Sequence, residues 1–81
     1  MIYIYGNKSC AFCNKAKEHA AKHYKEYKFL DTGITMYYNQ LKELGVGTSV
    51  QPQIFEDKRL IGTYYHFVKE TQYRMEKYNN A

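Results

Sequence analysis

Two cysteines, Cys10 and Cys13, carry the clearest chemistry in the sequence. They stand in the segment Cys10-Ala11-Phe12-Cys13, after a strand-like pattern and at the start of a helix-like one. A Cys-x-x-Cys pair in that position is typical of a redox dithiol in a reducing compartment. Residues three apart at a helix start are neighbours, so the two sulfurs can close a disulfide. The spacing therefore predicts a redox-active cysteine pair.

The start of a helix also favours a thiolate. Its first turn presents N–H groups without partners and about half a positive charge. Thiolates at such sites have pKa values of roughly 3.5–7.5, against about 8.5 for free cysteine. We expect Cys10, at the exposed end and near the charges of Lys8 and Lys15, to be the nucleophile. Cys13, one turn further in and more buried, is expected to resolve the mixed disulfide.

Two histidines follow the cysteines and raise the alternative of a metal site. The string is Cys-x2-Cys-x5-His-x3-His and ends in His19 and His23. All four side chains fall on one predicted helix, where His23 is about 15 Å along the axis from Cys13 and His19 is roughly 240° round it. One ion cannot bind all four, so no metal is expected and both histidines are predicted to lie on the helix surface. Two unreactive structural cysteines are the other alternative.

The net charge of +4 is concentrated around the cysteines. Residues 1–28 contain six lysines and two glutamates, whereas residues 29–81 contain six positive and six negative side chains. A basic field favours a thiolate and attracts anionic partners, although a solvated helix face gives the same pattern. The lysines are dispersed and the chain has only two arginines, which argues against nucleic-acid binding.

The length of 81 residues is enough for one small domain, 1–81. Ten tyrosines supply apolar surface where aliphatic residues are few, and one proline and five glycines argue against disorder. No apolar run is long enough to cross a membrane, and the first residues lack the pattern of a secretory signal. Two cysteines cannot form the framework of a disulfide-rich secreted protein. We therefore expect a cytoplasmic location.

Periodicity along the rest of the chain predicts the elements that position the cysteines. Strands are expected at 1–5, 27–30, 53–56 and 59–61. Helices are expected after Ser9 as the capping residue, from Thr35, and over the terminal segment. The terminal helix is predicted to bury a stripe made of Tyr64, Val68, Thr71, Met75 and Tyr78.

The predicted order is β-α-β-α-β-β-α. The first strand, helix and second strand form a parallel crossover unit, and the two-residue connection at 57–58 makes the last two strands an antiparallel hairpin. The fold class is therefore α/β, with a four-stranded mixed sheet and helices on both faces.

Three motifs in this order resemble those of a glutaredoxin. They are Cys10-Ala11-Phe12-Cys13, Val50-Gln51-Pro52-Gln53-Ile54-Phe55 and Leu60-Ile61-Gly62. The resemblance covers nearly the whole chain and implies the minimal thioredoxin fold, with Pro52 in the cis form facing the cysteine pair. It also implies that the backbone of Gln51 pairs with the cysteine of glutathione like an added strand.

The resemblance further implies a glutathione site and no metal. Glutathione would act as the reductant and lie in a groove beside the cysteines. The residues that the resemblance assigns to glutathione or substrate binding are Lys8, Phe12, Gln51, Pro52, Gly62, Thr63 and Tyr64.

The sequence departs from the glutaredoxin pattern at four places. Ala11 replaces a proline between the cysteines, and Asn7 stands where a lysine is usual, with Lys8 next to it. Gln51 replaces the valine that usually precedes the proline. The turn Gly62-Thr63-Tyr64-Tyr65-His66 lacks the acid that holds the amino group of glutathione. We therefore expect the γ-glutamyl end of the site to be altered.

The expected activity is glutathione-dependent thiol–disulfide exchange, in which Cys10 attacks a disulfide or a glutathionylated substrate and Cys13 resolves the product. Protein disulfides such as that of ribonucleotide reductase are the expected partners, and a monomer is expected. Three alternatives stay open: a redoxin reduced by thioredoxin reductase, a protein that binds a 2Fe–2S cluster with glutathione, and a metal-free interaction module.

Overall fold

A computed structural model describes residues 1–47 and 49–79 of the protein, with side chains described as far as residue 76. The elements in chain order are β1 (Ile2–Gly6), α1 (Ala11–His23), β2 (Tyr27–Asp31), α2 (Thr35–Glu43), β3 (Gln53–Glu56), β4 (Arg59–Gly62) and α3 (Tyr64–Asn79). The predicted order β-α-β-α-β-β-α is confirmed, and so is the α/β class with a mixed four-stranded sheet.

The sheet topology places two separate loops side by side. The strand order is β2-β1-β3-β4, with β1 parallel to β2 and antiparallel to β3. Tyr5, next to the end of β1, pairs with Gln53 at the start of β3. The loop that follows β1 and the loop that precedes β3 therefore meet at one end of the sheet. These are the loops that contain the cysteines and Pro52.

Two apolar layers cover the two faces of the sheet, because alternate residues of each strand point to opposite sides. On one face α1 and α3 pack on the sheet, with a buried cluster made of Ile2, Ile4, Ala16, Ala20, Ile54 and Phe67. On the other face α2 packs on a smaller cluster made of Tyr5, Leu30, Leu41 and Phe55. Both clusters reach β1 and β3, so the central strands are buried on both sides.

The end of the sheet opposite the cysteines is formed by the N-terminus and the β3–β4 turn. The backbone N–H of Asp57 donates to the carbonyl of Met1 at 2.9 Å, and the Met1 ammonium lies 3.3 Å from the Asp57 carboxylate. Asp57 has a φ of +53°, which the two-residue turn requires and which aspartate tolerates better than most residues.

Four charged side chains connect the last two strands to the last helix. The carboxylate of Glu56 on β3 accepts hydrogen bonds from Arg59 on β4 and from Arg74 on α3. Glu70 on α3 accepts from the same two arginines. The hydrogen bonds from Arg74 are the main reason that the pKa of Glu56 is lowered to about 2. We call Glu56, Arg59, Glu70 and Arg74 the ion-pair network.

The buried stripe of α3 differs from the predicted one. Phe67 is fully buried and Thr71 is buried, whereas Met75 is 50% exposed and Val68 is half-buried. The side chain of Tyr78 lies outside the described residues. The predicted burial of Thr71 is confirmed, and this residue meets polar partners at His19 and Tyr24. Spacing alone missed Phe67, which packs on the His19 ring of α1.

His19 is not the surface residue that the sequence predicted. Its Nε2 lies 2.9 Å from the hydroxyl of Thr71, and its ring meets the Phe67 ring edge-on at a centroid distance of 4.8 Å. The hydroxyl of Tyr24 lies 2.8 Å from the same Thr71 oxygen. Burial lowers the pKa of His19, so the neutral imidazole is favoured in this contact between α1 and α3. His23 is exposed, as predicted.

Over residues 1–47 and 49–79, no helix combines the length and the apolarity that crossing a bilayer requires.

Candidate active site

The two cysteines lie at the start of α1, as the sequence predicted, and both are free thiols. Cys10 rather than Ser9 caps the helix: its sulfur accepts a hydrogen bond from the backbone N–H of Cys13 at 3.2 Å. The backbone of Ser9 is instead held by the side chain of Asn7, whose oxygen accepts from its N–H at 2.9 Å. A sulfur in the capping position receives the N–H that stabilises negative charge there.

The surroundings of the two sulfurs differ. Cys10 is partly exposed, whereas Cys13 has no accessible surface. Burial is the largest cause that raises the pKa of Cys13 to about 12, and the hydrogen bond with Cys10 adds to it. At neutral pH the inner cysteine is therefore a thiol. Only the outer one can meet a substrate directly.

The Cys13 sulfur fits because the residue beneath it is glycine. A Cβ atom placed on Gly6, the last residue of β1, would lie 2.4 Å from the Cys13 sulfur. Gly6 thus lets the first turn of α1 pack directly on the end of β1.

The loop before β3 faces the cysteines. The peptide bond between Gln51 and Pro52 is cis, and Pro52 is fully buried. The thiol of Cys10 donates to the backbone carbonyl of Gln51 across a distance of 3.9 Å. The outer sulfur therefore lies between a backbone N–H of its own helix and a backbone carbonyl of the proline loop.

A groove with a volume of about 370 Å³ opens beside this pair, and its lining is mostly apolar. The side chains around it are Phe12, Gln51, Pro52, Thr63, Tyr64 and Tyr65. The rings of Phe12 and Tyr64 face each other across the groove with a centroid distance of 6.0 Å. The ammonium of Lys15 lies 5.2 Å from the centre of the Phe12 ring and adds positive charge at this edge.

Five of the predicted binding residues therefore line the groove: Phe12, Gln51, Pro52, Thr63 and Tyr64. Two others do not. Lys8 is exposed and Gly62 is half-buried with a φ of +126°, and neither is among the lining residues. A Cβ on Gly62 would lie 2.7 Å from the His66 ring, so its role here is conformational.

The start of α3 carries a polar contact that the sequence did not indicate. Nδ1 of His66 accepts a hydrogen bond from the backbone N–H of Thr63 at 3.3 Å and lies 3.1 Å from the Thr63 hydroxyl. His66 thus caps the helix in the turn where the acid was missing. Tyr65, also not predicted, lines the groove and is 63% exposed.

Within the ranges 1–47 and 49–79, histidine, cysteine, aspartate and glutamate side chains form no group of three or more that could hold an ion.

The chain was compared with known proteins by sequence and by structure. No protein-family model and no curated protein matches it by sequence. Among solved structures, reduced Escherichia coli glutaredoxin superimposes with a TM-score of 0.76 at 24% identity, over 93% of this chain and 96% of that one. The oxidised E. coli protein gives a TM-score of 0.70 at 26% identity, over 88% and 92% of the two chains.

A plant protein is similar as well. The buckwheat glutaredoxin–glutathione complex gives a TM-score of 0.72 at 12% identity, over 88% of this chain and 67% of that one. An identity this low speaks for the fold alone. The resemblance that the sequence motifs suggested is confirmed by the similarity to the E. coli protein over nearly the full length of both chains, and this chain has the thioredoxin fold of those glutaredoxins.

Proposed function

We propose that the protein reduces disulfides and glutathionylated thiols with glutathione as its electron source, with Cys10 as nucleophile and Cys13 as resolving residue. One observation carries the proposal. Cys10 is partly exposed, and its sulfur lies between the N–H of Cys13 and the carbonyl of Gln51, a residue that lines the apolar groove. A sulfur placed in this way can accept negative charge and receive a partner sulfur from the groove side.

The first step is attack by the Cys10 thiolate on a substrate disulfide. A bond forms between the Cys10 sulfur and one substrate sulfur. The second substrate sulfur leaves with the bonding electron pair and takes up a proton. The Cys13 thiol then gives up its proton and attacks the Cys10 sulfur, which releases the first substrate sulfur. The protein now contains the Cys10–Cys13 disulfide, and two glutathione thiols reduce it and become glutathione disulfide.

The raised pKa of Cys13 explains why attack by Cys10 on the substrate comes before attack by Cys13 on the mixed disulfide. Its hydrogen bond and charge interaction with Cys10 both raise the pKa of the inner thiol. Both disappear when the Cys10 sulfur enters a mixed disulfide, because that sulfur no longer carries a charge or a proton. Lys17 acts in the opposite direction and lowers the pKa of Cys13. Cys13 thus becomes a better nucleophile once a substrate is bound.

The groove supports glutathione as the reductant. It adjoins the backbone of Gln51, which would pair with the cysteine of glutathione in the manner of an added strand. Lys8 would then meet the glycine carboxylate from outside the groove. At the γ-glutamyl end, the N–H of Thr63 already donates to His66. We therefore propose that this end is bound weakly and that an extended protein segment can use the same groove.

The electron source is tested by oxidising the protein, confirming the Cys10–Cys13 bond by mass and following NADPH consumption. One mixture contains glutathione and glutathione reductase, and the other contains thioredoxin reductase. Turnover with the first alone is the expected result. Turnover with the second alone would contradict the role of glutathione. A coupled assay with ribonucleotide reductase tests that enzyme as the partner. The proposed location is the reducing cytoplasm.

The proposed roles of the two cysteines predict that replacing each of them removes a different part of the activity. Cys10→Ser should abolish reduction of every substrate, because no other sulfur is accessible at the groove. Cys13→Ser should keep reduction of a glutathionylated peptide, which needs one sulfur, and lose reduction of a protein disulfide such as that of insulin. Both are measured with glutathione and glutathione reductase, with thermal unfolding as the check on folding. Activity of the Cys10→Ser protein would contradict the assignment.

A further inference from the structure

Two of the residues that depart from the glutaredoxin pattern are in contact with each other. The side-chain amide of Asn7 donates to the side-chain oxygen of Gln51 at 3.0 Å. The amide of Gln51 in turn donates to the hydroxyl of Thr32 at 2.8 Å. These three side chains, which we call the amide bridge, connect the loops after β1, after β2 and before β3.

Each end of the amide bridge is anchored to backbone. The oxygen of Asn7 accepts from the N–H of Ser9, which leaves its amide group to donate to Gln51. The hydroxyl of Thr32 donates to the carbonyl of Gly6 at 3.3 Å, and the backbone N–H of Thr32 donates to the same carbonyl at 2.8 Å. The bridge therefore holds Gln51 against the end of β1, which is also the floor under Cys13.

The amide bridge contacts a segment of the chain that lies outside the helices and strands. β3 begins only at Gln53, and Val50 on the other side of Gln51 is exposed. The backbone carbonyl of Gln51 nevertheless lies 3.9 Å from the Cys10 sulfur. A backbone segment that is ordered before binding spares the substrate the cost of ordering it. The side chain of Gln51, which is hydrogen-bonded to Asn7 and to Thr32, supplies that order.

We propose that Gln51 is a positioning residue for extended substrates. Its side chain, held by Asn7 and Thr32, fixes the backbone of the proline loop at the separation from Cys10 that a disulfide-bonded peptide strand needs. Gln51 acts through its backbone on the substrate, and its side chain does not touch the reacting sulfurs. The inference rests on the proposed exchange reaction at Cys10. The inference predicts that substrates with a peptide backbone bind to the fixed loop, whereas small disulfides do not.

The test compares Gln51→Val with the unchanged protein in a single turnover. The reduced protein, without glutathione, is mixed with increasing concentrations of a glutathionylated peptide or of 2-hydroxyethyl disulfide. Loss of two hydrogen bonds at the bridge should raise the half-saturation concentration for the peptide about 5- to 10-fold. The limiting rate for the peptide, and the rate with the small disulfide, should stay within about twofold.

Asn7→Ala in combination with Gln51→Val tests whether the two residues act as one unit. Asn7→Ala alone should weaken peptide binding, and adding it to Gln51→Val should cause little further loss, because the shared hydrogen bond is already gone. Gln72→Val is the matched control, since Gln72 is an exposed glutamine on α3 that lies about two helical turns beyond Tyr65 and does not line the groove. It should leave both reactions unchanged. Thermal unfolding is measured for each variant.

The outcomes separate the inference from the proposed function. An unchanged half-saturation concentration for the peptide in Gln51→Val, or an equal loss with both disulfides, overturns the positioning role while the exchange reaction stands. If the unchanged protein reacts with neither disulfide, the proposed function itself fails.

Discussion

At the scale of single residues, the two sulfurs of the site are one helical turn apart and have opposite surroundings. Cys10 occupies the capping position of α1 with a backbone N–H pointing at it and part of its surface open. Cys13 lies fully inside, against Gly6, with its pKa raised to about 12. In the proposed reaction, this difference in surroundings assigns attack to Cys10 and resolution to Cys13.

This difference predicts selective modification. Iodoacetamide added to the reduced, folded protein at pH 8 should label Cys10 and spare Cys13, because the inner thiol is both buried and protonated. The folded pKa lies above the ordinary value, so labelling of Cys13 should appear only as the pH approaches 12. Peptide mass mapping after short exposure measures this. In denaturant both cysteines should react, and equal labelling of the folded protein at pH 8 would contradict the prediction.

At the scale of elements, the contact between β1 and α1 sets the position of the cysteines. Four residues separate the end of β1 from the start of α1, and the first turn of the helix packs over the strand's last residue. At that crossing the structure uses Gly6, with the Cys13 sulfur above it. A side chain at this point would push the helix start, and both sulfurs, away from the sheet.

Gly6→Ala should therefore destabilise the fold and change the site together. The added Cβ would lie 2.4 Å from the Cys13 sulfur, and such overpacking costs about 1–3 kcal/mol. Urea unfolding measures the loss of stability, and iodoacetamide labelling should show Cys13 becoming accessible.

Gly47→Ala is the matched control for this substitution. A Cβ at Gly47 meets no atom within 4 Å, and Gly47 does not have a positive φ. The variant should unfold within about 0.5 kcal/mol of the unchanged protein. An equal loss of stability in the two variants would show that an added methyl group fits at Gly6 without overpacking.

At the scale of the whole molecule, the ion-pair network holds the hairpin of β3 and β4 to the terminal helix. Its carboxylates are about a quarter exposed and its guanidinium groups about half exposed, so solvent screens each pair. The low pKa of Glu56 nevertheless shows that the folded state prefers its charged form. Because that pKa lies below the ordinary value, the stabilisation is present above about pH 4.5 and is lost as the pH falls toward 2.

Glu56→Gln tests this dependence. At pH 7 the variant should unfold about 1 kcal/mol more easily than the unchanged protein, since Arg59 and Arg74 lose one of the two carboxylates that they share. The difference should shrink as the pH falls from about 4.5 to 2, because Glu56 is then protonated in both states of the unchanged protein. Urea unfolding at several pH values measures it, with Glu18→Gln on the exposed face of α1 as control. A difference that does not depend on pH would contradict the electrostatic explanation.

The same three scales separate what the sequence could predict from what it could not. The order of strands and helices followed from local periodicity, and the cysteine pair from its spacing at a helix start. Tertiary contacts decided the rest: Phe67, which the predicted stripe omitted, is buried against the rings of His19 and Tyr24. The contact of Asn7 with Gln51 joins residues 44 positions apart, and nothing in the local pattern of either indicates it.

The two ends of β1 have consequences for attaching other molecules to this protein. The strand runs from Ile2, which follows Met1 beside Asp57, to Gly6 beneath the cysteines, and its five residues extend about 17 Å. A segment joined ahead of Met1 would emerge at the end of the sheet away from the groove and would break only the ammonium contact with Asp57. An affinity handle, a fluorescent label or a fused reporter protein placed there would leave the reacting edge open to its substrates.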